Sequence, residues 1–375
     1  RDALGSLTTA QVAVLTTAQV EAISTTQASS WSDIQIQALT TAQISKVETR
    51  DLVLMSETAI AGLSTAQVTA LTTEQVTRMT TAQIAQLTTA QISVMTTAQI
   101  EAISTIQAPI LSTSQVAALT TAQLVVLETR DLVLLAANSI GGLSTAQTVV
   151  LTDEQVRRLT TAQMATMTTA QVAALTTAQI QALTTIQAPT LSTAQVAALT
   201  TAQIQVMETR DFALLSSDAI RNLSTAQVVA ITDEQVSRLS TARTQALTTA
   251  QISILTTAQI EALTTRQTEV LTNVQVPTLT TAQLVAMETK DFADLTTAAI
   301  ASLTTAQVSN LTTDQVKALT TAQIDNMTAD QTKAFTTAQV QALETRDLAM
   351  LSEAANFTTA QVAVMSAAQN SALPN

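Results

Sequence analysis

The chain has no cysteine, no histidine and no tyrosine, and its aromatics are one tryptophan and four phenylalanines. These absences remove chemistry. Without imidazole or thiol there is no Ser-His-Asp or Cys-His arrangement and no soft metal ligand, so catalysis would rest on Lys, Arg, hydroxyls and carboxylates alone. No catalytic, cofactor-binding or metal-ligating residue stands out, and the expectation is a protein that is not an enzyme and needs no cofactor. Positive charge is also scarce: Lys and Arg number 16 against 28 Asp and Glu, a net charge of -12. Nucleic acid and anionic membrane are bound through cations, so neither is an expected partner. No apolar run approaches the roughly 20 residues needed to cross a bilayer, so membrane insertion is not expected either. The opening RDALGSL lacks an initiator Met and the layout of a signal peptide, which suggests a processed chain or a piece of a longer one.

What is present is small, apolar and periodic. Hydrophobic residues make up 46% of the chain, drawn from Ala, Leu, Val, Ile and Met rather than aromatics. An apolar anchor recurs every eight positions, at Leu7, Leu15, Ile23, Trp31, Leu39, Val47, Met55, Leu63 and onward to Leu351. The consensus is L-T-T-A-Q-V-x-A. One long helix cannot use such a repeat, because eight residues at about 100° each move the anchor about 80° around the axis per unit. A strand places Leu and Val, five apart, on opposite faces. A β-solenoid remains the alternative, although it would be expected to use Gly or Asn at its corners.

A short capped helix explains more of the letters. In Leu175-Thr176-Thr177-Ala178-Gln179-Ile180, Thr176 and Gln179 have the spacing of a capping box, and Leu175 and Ile180 that of a hydrophobic staple. Since the motif restarts at Leu183, each helix must stop after about six residues. Helices so short are unstable alone, so units must stack. The expected fold is an all-α solenoid of tandem octapeptide repeats. Within each unit, the Ala before Gln is expected to permit close helix approach and the residue after Val or Ile to face outward.

A longer beat overlies the octad. Glu48-Thr49-Arg50-Asp51, Glu128-Thr129-Arg130-Asp131, Glu208-Thr209-Arg210-Asp211 and Glu288-Thr289-Lys290-Asp291 lie 80 residues apart, and Glu344-Thr345-Arg346-Asp347 comes 56 residues later. Pro109 and Pro189 keep the same beat, as do Arg78, Arg158 and Arg238 and the Gln-free units around Ile60, Ile140, Ile220 and Ile300. In the charged units Asp is expected to take over the returning role of Gln with Glu at the cap, and meeting coils could align these charges in a ladder. A metal or ligand reading of the same carboxylates is the less favoured one. Glu154 with Arg158, and Glu234 with Arg238, have the spacing of helical ion pairs. Trp31 stands where related units carry Leu111, Leu191 and Leu271, and reads as a core filler. The organisation expected is a continuous array over 1–351 with an 80-residue higher-order repeat. A phase-shifted end is expected over 352–375, where a six-residue interval from Leu351 to Phe357 should bend or end the array.

The tandem L-T-T-A-Q-V/I units resemble the octapeptide-repeat regions of very long bacterial surface or secreted proteins, over nearly the whole chain. The resemblance implies a stalk, fibre, or adhesin-like or surface-layer spacer outside the cell. Self-association, or contact with neighbouring repeats of a longer chain, is the partnership expected. A binding module that lays rows of Thr on ice or polysaccharide is the alternative, cued by the second Thr of each unit, such as Thr177 and Thr185.

Overall fold

In Thr177–Gln181 the reason for the local structure is visible atom by atom. Thr176 has extended backbone, its hydroxyl accepts from Gln179 N at 3.1 Å, and Gln179 Oε1 accepts from Thr176 N at 2.8 Å. Two of the four orphan N–H groups at the helix start are satisfied in this way. The helix closes by Leu183 N donating to Ile180 O at 3.2 Å, a tighter turn that delivers Leu183 as the next anchor. The computed structural model describes residues 4–349 and 357–373. Among the described residues the chain forms 42 α-helices of four to six residues and three short 3-10 turns, and no strand. It is an all-α solenoid, and the β-solenoid alternative is excluded.

The chain divides into two compact units, Arg1–Leu191 and Ser192–Asn375. In the first, Glu57–Ala61 packs on Thr81–Gln86 and Thr65–Ala70 on Thr89–Val94, each helix meeting the one three octads ahead. In the second, Thr225–Ala230 packs on Thr249–Ile254 and Thr313–Ala318 on Thr337–Ala342, with the same offset. Glutamine side chains reach further, to carbonyls 28 and 31 residues back, at the end of the helix four octads earlier. One turn of the solenoid therefore takes between three and four octads.

Burial repeats with the octad. Leu175, Gln179 and Ile180 are buried, whereas Thr176, Thr177 and Ala178 are exposed. The Ala expected to lie between helices instead faces solvent, because the stacking face is formed by the anchor, the Gln and the adjoining Val or Ile. The close approach expected of Ala occurs elsewhere: a Cβ on Gly141 would fall 2.5 Å from the backbone oxygen of Thr166, in the helix three octads ahead. Prolines tighten single units without removing them. Ala108–Ile110, Ala188–Thr190 and Val276–Thr278 are 3-10 turns containing Pro109, Pro189 and Pro277.

The expected boundary at 351/352 lies outside the described residues. Beyond it, Thr359–Val364 and Ala367–Ala372 resume the octad. Gln361 donates to Phe335 O and Gln369 to Leu343 O, now 26 residues back instead of 28. The stacking bonds therefore continue past the interval, with the two-residue deficit carried in their offset.

Candidate functional site

The most regular chemical feature is the glutamine at the third position of most helices. Its oxygen completes the capping box of its own helix, while its Nε2 donates to the earlier coil. Gln99 Nε2 donates to Val68 O at 2.8 Å and Leu71 O at 2.6 Å. In the second unit Gln259 does the same to Val228 O at 3.0 Å and Ile231 O at 2.7 Å. These acceptors are carbonyls at a helix C-terminus, which lack the N–H four residues on that a helix interior would supply. One buried amide thus satisfies the N-terminus of one helix and the C-terminus of another. Even the proline-containing units keep this bond, since Gln107 Nε2 donates to Val76 O and Met79 O.

Sequence reasoning placed Gln in the capping box and missed the tie between coils. A signal for it was present. Glu serves a capping box as well as Gln does, yet no octad carries Glu at this position. Only an amide combines the acceptor with a donor, and a buried donor needs a carbonyl to meet. Arg243 supports the same rule. It replaces Gln, and its guanidinium donates to Leu215 O and, at 3.1 Å, to Leu214 O.

The aspartates break this rule. Glu48, Glu128, Glu208, Glu288 and Glu344 make no side-chain cap bond. The expected returning bond from Asp does not form, because its side chain is one methylene shorter than that of Gln. Asp291 and Asp347 instead accept from Thr265 and Thr321 hydroxyls at 2.6 Å, reversing the polarity of the bond between coils. Asp131 is fully buried with neither oxygen bonded, and Asp51 Oδ1 is likewise without a partner. Burial holds the Asp131 carboxyl above the usual range. Burial, with help from Glu208 and against Arg210, pushes that of Asp211 up to about 6.

The expected charge ladder between coils is not formed, since the 80-residue spacing exceeds one turn of the solenoid. The ion pairs of these units are local: Glu48 with Arg50 at 2.6 Å, Glu344 with Arg346 at 2.8 Å, Glu154 with Arg158 at 2.9 Å. Glu234 and Arg238 do not pair. The hydrogen bond from Arg158 lowers the Glu154 carboxyl below its ordinary value. Among the described residues no group of acidic side chains could hold a metal ion. Thr177 and Thr185, the cue for a Thr-row surface, are both exposed.

The tie and its repetition define the class: an α-solenoid whose coils, within each unit, are bonded to earlier ones by buried side-chain amides. The chain belongs to the ALTTAQ repeat family, whose pattern matches residues 44–81, 124–161, 154–185, 204–241, 284–321 and 316–345, together more than half of its length. Four of these matches, beginning at 44, 124, 204 and 284, keep the 80-residue beat. No curated protein matches the chain. Among the described residues no helix is long and apolar enough to cross a membrane.

Proposed function

We propose that this repeat array is a non-catalytic structural spacer, a stalk or surface-layer element that acts outside the cell or at its surface. The observation that carries the reading is that its most regular chemistry, the glutamine amide, is spent on joining coils. What faces solvent in the octad is Thr, Thr and Ala, uncharged and without a convergent set of reactive groups. Each added coil contributes the same bonds and the same buried apolar pair, so length is set by unit number. Self-association through further coils of the same kind suits such a role.

The test is to insert one additional 80-residue block and to measure the maximum dimension by small-angle scattering. A spacer gains the same increment with each inserted block. A particle whose maximum dimension does not grow ends the proposal.

The second reading is a Thr-row surface for ice or polysaccharide. It is favoured by the exposure of the second Thr, as at Thr177 and Thr185, which capping does not require. Zero thermal hysteresis and no retention on insoluble glycans would eliminate it.

A further inference from the structure

We propose that the cavity between Trp31 and Asp51 is the binding site of one buried water molecule, which does in this aspartate octad what the glutamine amide does elsewhere. The cavity offers about 10 Å³ for the centre of a water molecule, and Val20, Ile23, Trp31 and Asp51 are among its walls. That volume suits a single water, which needs roughly 10–15 Å³ on this measure and two to four polar partners.

Three polar atoms of the lining residues can serve such a water. Trp31 Nε1 is a buried donor without an acceptor, and Asp51 Oδ1 is a buried acceptor without a donor. Arg50 Nε, at 3.8 Å from Asp51 Oδ1, is beyond hydrogen-bond range. The third is the carbonyl of Ile23. Ile23 and Val20 lie 28 and 31 residues before Asp51, the offsets at which Gln43 Nε2 reaches Leu15 O and Val12 O. An ionised carboxylate cannot donate to a carbonyl. A water can accept from Trp31 Nε1–H and donate one hydrogen to Asp51 Oδ1 and the other to Ile23 O, so that all three are satisfied.

The site also accounts for the one tryptophan among the anchors. Trp31 stands where Leu111, Leu191 and Leu271 stand in the related blocks. A leucine there gives the apolar filling but no N–H. In the second block, with Leu111, both oxygens of Asp131 are without partners. Trp31 is thus a core residue whose indole nitrogen also serves a polar site.

Trp31 is the only tryptophan, so indole spectroscopy reports this site alone. Ultraviolet resonance Raman of the full chain should show a hydrogen-bonded indole N–H. In Asp51→Gln the longer amide fills the cavity and ties directly to the Val20 and Ile23 carbonyls, and the band should move to its non-bonded position. Gln is the consensus residue at this position, and circular dichroism confirms that the variant folds. A non-bonded indole in the wild type overturns the proposal, and so does a bonded one unchanged in Asp51→Gln. A high-resolution crystal structure should place a water within hydrogen-bond distance of all three atoms. Direct contact of Trp31 Nε1 with Asp51, or a cavity without density, overturns the proposal equally.

Discussion

Residues 127–142 and 143–183 belong to the same unit, have the same octad period and bury the same apolar pair, but differ in how they hold the earlier coil. From the second stretch Gln147, Gln155, Gln163, Gln171 and Gln179 each reach back to helix-end carbonyls. The first has Asp131 and Ser139 at those positions; Asp131 makes no such bond, and Ser139 makes only a long one, its Oγ donating to Thr113 Oγ1 at 3.4 Å. It does receive ties, since Gln163 donates to Leu135 O and Gln171 to Ile140 O. The seam is therefore tied by amides to the next coil, and held to the preceding one by packing and that single long hydroxyl bond. The core holds it there: Leu132, Leu135 and Ile140 are buried, and the equivalent of Leu132 in the second unit is the larger Phe212, fully buried. Replacing amide ties by packing and one long hydroxyl bond in two successive octads makes a weaker interface at this place in the stack.

The largest effect should come from turning a tied octad into a seam. Gln99→Glu keeps the capping acceptor but points a carboxylate at two carbonyls in a buried place, which should cost about 3 kcal/mol or more, the order found when a buried charge is left unpaired. Denaturant unfolding at neutral pH measures it. A loss no greater than that of Gln99→Ala would mean that the donor is not what matters.

Gly141→Ala comes next. A methyl group 2.5 Å from Thr166 O cannot be accommodated without moving one of the two helices, and the cost should be about 1–3 kcal/mol, read from the same unfolding curve. An unchanged midpoint would show that the two helices separate at no cost.

The converse change, Asp131→Gln, gives the seam its missing donor and should stabilise the chain by about 1–2 kcal/mol at neutral pH. In native-state hydrogen exchange, residues 127–142 of the wild type should open before 143–183, and this variant should narrow the gap. Equal protection of both stretches in the wild type would remove the comparison.

The seams should also respond to pH. Asp131 and Asp211 carry raised carboxyl values, so they bind protons more tightly folded than unfolded. Their contribution is complete below the unfolded carboxyl range, about 4, and is lost as pH rises through the folded value, about 6 for Asp211. Stability should fall as pH rises from about 5 to about 7, and Asp211→Asn should flatten that fall. A wild-type stability that rises over the same interval would refute the assignment. The smallest effect belongs to the surface: Glu154→Ala removes an exposed, solvent-screened ion pair and should leave the unfolding midpoint nearly unchanged.

The helix starts were legible in the sequence because capping is local. Thr176 and Gln179 lie three residues apart, and their mutual bonds need nothing beyond the helix they begin. The length of each helix and the need to stack are dictated by the return of the anchor at Leu183. The outward position of Ala178 was not legible, since a small side chain suits a close contact and an exposed helix start equally well. Nor was the behaviour of the aspartates, because which groups face Asp131 depends on a coil some thirty residues away. Trp31 read as a core filler and is one, but its unpartnered indole nitrogen is visible only beside Asp51.

By itself the sequence determined the unit: a capped helix of a turn or so, an apolar anchor, and a period of eight that neither a long helix nor a strand can use. The tertiary structure decided how many units close a turn of the solenoid. That number depends on the distance at which a glutamine amide meets the carbonyl end of an earlier helix, a relation between residues 28 and 31 apart that no local pattern encodes.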